Sequence, residues 1–167
     1  MARPVQTPAE FRGIFRRSAA AVWVVTAAQA GQRSGLTATS VVSLCPDAQE
    51  LLVSVRPEAS AFALIQGSGQ FGLNLLAQGQ QDVAMAFAGV AGTKGADRFH
   101  TGCWHATRNG VWLLTGALAG MACEVQEILW RRTHSLVVGR VLHQEVSAAP
   151  PQPLVHGNGQ YWGLRPM

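Results

Sequence analysis

Apolar and polar residues in this 167-residue chain alternate mostly with the two-residue period of half-buried strands, and only briefly with the wider helical period. The exception at the start is a helix: Thr7-Pro8-Ala9-Glu10 is a capping box with proline in the first turn. Behind it, Phe11, Ile14, Phe15 and Ser18 share one face and Arg12 and Arg16 another. Strands are predicted over 21–28, 35–43, 51–56 and 71–76, with short helices over 60–66 and 79–88. A glycine-rich loop follows from Gly89 to Gly102. Trp104 to Ala106 and Val111 to Leu114 flank Asn109-Gly110, a dipeptide that tolerates the positive φ of a hairpin turn. Alternation resumes from Met121, a long strand is predicted over 135–146, and Gln160 to Leu164 adds an edge strand. Residues 148–153, Ala-Ala-Pro-Pro-Gln-Pro, read as a surface connection. Helices do not alternate regularly with strands, which excludes a doubly wound α/β fold. The expectation is a mainly β protein, a small closed or partly closed barrel with a few short helices, forming one domain over 1–167.

Composition sharpens this picture. The chain is 48% hydrophobic and 13% charged, against a usual charged share of about 25%. That excludes disorder and a coiled coil, and predicts that a partner subunit covers part of the surface. The net charge is +4, and Lys94 is the only lysine among thirteen cations. The dense spots, Arg12, Arg16 and Arg17, then Arg131 and Arg132, lack interleaved aromatics, so no nucleic acid is expected; a modest positive field suits small phosphorylated anions. Cys45, Cys103 and Cys123 are too irregularly spaced for a disulfide framework and read as reduced thiols of a cytoplasmic protein. Arg16-Arg17, the apolar run after it and Ala28-Gln29-Ala30 imitate an export signal, but the capped helix and the strand that follows favour a folded segment. The apolar run from Val111 to Cys123 is thirteen residues, short of the roughly 18 needed for a span, so no membrane is expected.

Several short motifs carry possible chemistry. Gly67-Ser68-Gly69-Gln70-Phe71-Gly72 matches GxGxxG, but it follows a helix and precedes a strand, the reverse of a dinucleotide fingerprint. A helix C-cap followed by a turn explains its glycines. His100, Cys103 and His105 lack a second ligand pair, so no metal is expected. The hydroxyl-rich run Ser34 to Ser43 offers small side chains and accessible main-chain N–H groups suited to a flat heteroaromatic ring. Arg56 with Ser60 at a helix start suits a phosphate, Ser60 reading as that helix's cap. Lys94 and Arg98, beside Phe99, suit a phosphate or ribityl chain.

The order of these pieces resembles one family. Gly35-Leu36-Thr37-Ala38-Thr39-Ser40, Leu52-Val53-Ser54-Val55-Arg56, Ser68-Gly69-Gln70-Phe71 with Asn74-Leu75, Lys94-Gly95-Ala96-Asp97-Arg98-Phe99, Cys123-Glu124-Val125, His134, and Pro153-Leu154 leading to Tyr161 are similar to the flavin reductase-like domains. The resemblance runs from about residue 10 to 164. It implies a split β-barrel, a homodimer, FMN or FAD as cofactor and NAD(P)H as hydride donor. It places Thr37, Ala38, Thr39 and Ser40 against the isoalloxazine ring with Asn74 and Leu75 close by. It brings Arg56, Ser60, Ala61, Lys94 and Arg98 to the ribityl phosphate, and counts Ser54 and Phe99 among the cofactor-binding residues. His134 would stand on the nicotinamide side as the catalytic residue. The chain departs from the family pattern at Ala59-Ser60-Ala61, where two hydroxyls are missing, at Arg132-Thr133 before His134, and at His156. The implied function is reduction of flavin for a separate oxygenase; an electron carrier, or a flavoprotein reducing its own organic substrate, are the alternatives. Arg131 and Arg132 are candidates for accepting a 2′-phosphate.

Overall fold

The computed structural model describes residues 7–90, 92–150 and 152–165. The capping box at the start closes as expected: the Glu10 N–H donates to the Thr7 hydroxyl (3.2 Å), and the Glu10 carboxylate accepts from the Thr7 N–H (3.1 Å). It opens α1 (Pro8–Phe15), none of whose residues is fully buried among the described residues. The predicted first strand divides at Val22 into β1 (Ala19–Ala21) and β2 (Trp23–Gln29). Val22 ties two sheets together, its N–H donating to Leu154 and its carbonyl accepting from Leu76.

The predicted strand 35–43 also divides, into β3 (Gln32–Ala38) and β4 (Val41–Cys45). Next come β5 (Glu50–Val55), α2 (Ser60–Ser68), β6 (Gln70–Leu75) and α3 (Gln81–Ala88). A 3-10 turn over Gly95–His100 leads to the hairpin β7 (Trp104–Ala106) and β8 (Trp112–Leu114). The last elements are β9 (Ala119–Trp130), β10 (Ser135–Val146), β11 (Leu154–Gly157) and β12 (Gln160–Gly163). Within the predicted connection 148–153, Pro151 lies outside the described residues. The GxGxxG run ends α2, with Gly69 in the left-handed region at φ 68.

Seven strands form one antiparallel sheet in the order β3-β2-β6-β9-β10-β5-β4. Its two edges, β3 and β4, are joined by Thr39 and Ser40 alone. A flat sheet would separate them by about 29 Å, six spacings of about 4.8 Å, whereas three Cα steps reach only about 11 Å. The sheet therefore curls on itself and leaves a seam between its edges, a split barrel. Beside that seam, Ser40 Oγ donates to the Ser54 carbonyl (3.1 Å), one step beyond the Val41–Val53 pair of β4 and β5.

The barrel interior is packed by Val25, Val53, Val55, Phe71, Leu73 and Val137, and α2 inserts Phe62 and Ile65. Gly139 makes room for the Phe71 ring, whose Cζ would lie 2.4 Å from any Cβ there. A second core joins Val24, Leu76, Phe87 of α3, Phe99 and Leu114 outside the barrel. Ser135 lies in the wall at 0% exposure, and its hydroxyl has no hydrogen-bond partner among the described residues. Ser135→Ala is therefore expected to raise stability by about 1 kcal/mol, read as a higher urea midpoint; a lower midpoint contradicts it.

Candidate functional site

The seam opens into a cleft of about 670 Å³ beside Thr37, Ala38, Thr39 and Ser40. Because β3 pairs only with β2, every second residue along it turns its N–H and C=O away from the sheet, and Thr39 and Ser40 lie beyond the ladder altogether. The hydroxyls of this segment are used locally: Thr37 Oγ1 donates to the Ala84 carbonyl (2.6 Å), as Ser40 does to Ser54. The main chain is thus what the segment offers a ligand. Leu36 and Phe87 add apolar surface, and Phe87 is braced by Phe99, centroids 5.1 Å apart.

The same cleft is lined by three cations, Arg56, Lys94 and Arg98, and by one carboxylate, Glu58. Arg98 is already engaged: its guanidinium donates to the carbonyls of Gly35, Phe87 (3.0 Å) and Thr93 (3.2 Å), joining β3 to the end of α3. Partial burial lowers its pKa from the usual arginine value; it nonetheless keeps its charge. Arg56 and Lys94 are exposed and free to turn toward an anion. Ser60 is not the helix cap expected from the sequence. Ala59 is the N-cap and supplies no side-chain bond, while Ser60 Oγ lies 2.7 Å from the buried Ser34 Oγ. A hydroxyl spent on capping would compete with a ligand; here the first amides of α2 have no side-chain acceptor, which suits an anion at a helix start.

His134 lines the same cleft from the β9–β10 turn, its Nδ1 3.0 Å from Thr133 Oγ1. Behind it and Thr39 lies a second chamber of about 720 Å³, lined also by Phe11, Arg12, Phe15, Arg16 and His156. Thr39 and His134 belong to both spaces.

Of the residues singled out from the sequence, Thr37, Ala38, Thr39, Ser40, Ser54, Arg56, Ser60, Lys94, Arg98 and His134 all line the cleft. Ala61, Asn74, Leu75 and Phe99 do not. The Ala61 side chain is buried beneath α2. Asn74 is fully buried, donating to the Val24 carbonyl (3.2 Å) and accepting from the Leu114 N–H (2.7 Å). Leu75 sits within the sheet between Trp23 and Ala119. Phe99 is packed among Phe87, Trp104 and Trp112 and reaches the cleft only through Phe87. Phe87 and Glu58 were missed; the apolar periodicity of 79–88 marks Phe87 as buried but gives no sign of a cleft. Arg131 and Arg132 line neither space, and Arg131 Nη1 turns back to the Trp130 carbonyl (2.9 Å).

Chemically, the cleft suits a flat ring with acceptors along one edge and an anionic tail, because its lining combines main-chain donors and apolar walls with cations and a helix start. The flavin reductase like domain model matches residues 15–165. The chain is 36% identical over 124 residues to the reductase component of 4-hydroxyphenylacetate 3-monooxygenase from Salmonella typhimurium, covering 74% of this chain and 73% of that one. It is 34% identical over 164 residues to an NADH-dependent flavin reductase of Rhodococcus sp., covering 96% and 89%. Among solved structures, the flavin reductase component of a bacterial two-component tryptophan halogenase superposes with a TM-score of 0.86 at 31% identity, covering 96% of this chain and all of that one.

Proposed function

Because this chain belongs to the flavin reductase like domain family, we propose that it is an NAD(P)H-dependent flavin reductase, a single domain that supplies reduced flavin to a separate monooxygenase component. The observation that carries the proposal is the coincidence, in one cleft, of an unpaired strand edge, three cations and His134. The bound flavin and nicotinamide supply the hydride exchange themselves. The protein's part is to bind and orient. Main-chain N–H groups from Thr37 to Ser40 hydrogen-bond the ring edge, where negative charge is stabilised by donors already in place. Arg56, Lys94, Ser60 and the first amides of α2 hold the phosphate. Arg98 keeps β3 and α3 in register and adds charge. His134, at the boundary with the second chamber, positions the nicotinamide.

A second copy of the chain supports this site. Val42 and Leu44 of the edge strand β4 and Leu142 and Val146 of β10 are exposed apolar residues, and a groove of about 690 Å³ across β4, β5 and β10 has Trp23, Val41, Met121, Val141 and Leu142 in its walls. That face fits a homodimer interface beside the seam. Three unpaired cysteines support the cytoplasm as the compartment, and no helix among the described residues is long and apolar enough to cross a membrane.

The test is direct. Purified protein given excess free FMN or FAD should consume NADH rapidly and sediment as a dimer. His134→Ala should slow flavin reduction about tenfold by misplacing the nicotinamide, with little change in flavin affinity. Equal reduction rates in stopped flow remove His134 from the site; tight flavin binding without turnover leaves a carrier instead.

A further inference from the structure

The helix α1 is capped at its start, yet none of its residues is fully buried among the described residues, and its apolar and cationic residues form two adjacent stripes. Phe11 and Phe15 are 55% and 62% exposed, their rings 5.1 Å apart and tilted by 54°. Arg12 and Arg16 stand one helical turn apart, the spacing at which two side chains reach one group. All four line the second chamber, which shares Thr39 and His134 with the flavin cleft. Neither arginine makes an ion pair among the described residues. The chamber's lining includes no aspartate or glutamate. Glu10, the acidic residue of α1, is bonded to Thr7 within the capping box.

This composition bears on which pyridine nucleotide the chain takes. In doubly wound nucleotide-binding folds a carboxylate reads the adenosine ribose diol of NAD and arginine receives a 2′-phosphate, and the charge chemistry of the second pairing holds in any fold. Here a donor with its nicotinamide at His134 meets, in the adjoining chamber, two aromatic rings and two guanidinium groups. Accepting the reductase function proposed above, we infer that α1 reads the adenosine 2′-phosphate end of NADPH: Phe11 and Phe15 face the adenine, and Arg12 and Arg16 hold the 2′-phosphate. Arg131 and Arg132, the pair suggested by sequence, are outside the chamber and take no part.

The experiment measures binding and turnover on the full-length protein. In titration calorimetry, adenosine 2′,5′-bisphosphate should bind at least about tenfold more tightly than 5′-AMP, as charge-assisted hydrogen bonds to a second phosphate require. R12Q/R16Q should erase that margin, and R131Q/R132Q should keep it. In steady state, the ratio of kcat/KM for NADPH to that for NADH should fall about tenfold or more in R12Q/R16Q. Equal affinities in the unmodified protein, a margin that survives R12Q/R16Q, or one lost in R131Q/R132Q overturns the assignment. Flavin-dependent oxidation of NADH by the same sample separates the two levels. If it is present while the margin is absent, only the role of α1 fails; if neither nucleotide is oxidised, the reductase function fails with it.

Discussion

Replacing Arg56 and Lys94 together by alanine is expected to weaken flavin binding about a hundredfold while leaving the fold intact. Both side chains line the cleft and both are exposed, so their removal leaves no buried partner stranded. Exposure also limits what each contributes. A fully desolvated charge-assisted bond is worth about 1.5–3 kcal/mol, and solvent screening brings an exposed one toward 1 kcal/mol. About 1.4 kcal/mol for each cation, a factor of ten apiece, is the reasonable middle. Arg98 differs, because its guanidinium already serves the carbonyls of Gly35, Phe87 and Thr93; removing it would confuse ligand binding with the loss of a structural clamp. Fluorescence titration of FMN against the double variant gives the dissociation constant, and raising the salt should weaken the unmodified protein more than the variant. A constant within threefold of the original, with thermal unfolding unchanged, places the phosphate elsewhere.

How far the sequence revealed this site depends on how local each signal is. The capping box of α1, the Asn109-Gly110 turn and the left-handed Gly69 are set by neighbours within a few residues, and all are legible. Thr37 to Ser40 were identified, but as the middle of one strand. That the chain passes there from one sheet edge to the other follows only from pairings that no short window contains. Ser60 was recognised for a phosphate and given a capping role, whereas its hydroxyl meets Ser34, 26 residues away. The strand β11 was not predicted, because four residues after a proline-rich stretch carry little periodicity; partners on both sides, β1 and β12, make it a strand. The apolar face of α1 was legible as a face, and only the structure shows that the described residues leave it more than half exposed.

Asn74 presents the clearest conflict between the family resemblance and the geometry, and Asn74→Ala is expected to settle it through stability. Its amide is wholly buried and spans three elements: it donates to Val24 on β2 and accepts from Leu114 on β8, residues 50 and 40 positions away. Together with Thr26 Oγ1, which donates to the Trp112 carbonyl (2.6 Å), it fastens the β7–β8 hairpin to the barrel wall. Alanine strands the Leu114 N–H in a dry environment and leaves a small void. At about 1–3 kcal/mol for a buried group deprived of its partner, plus the lost donor bond, the total is about 3 kcal/mol. For a chain of this length each kcal/mol lowers Tm by roughly 2–4 °C, so the midpoint of the flavin-free protein should fall by about 9 °C. Flavin affinity, measured well below that midpoint, should change less than about threefold, since no Asn74 atom is needed in the cleft. The opposite pattern, an unchanged midpoint with a large loss of flavin affinity, means that the bound state draws Asn74 out of the wall and into contact with the ring.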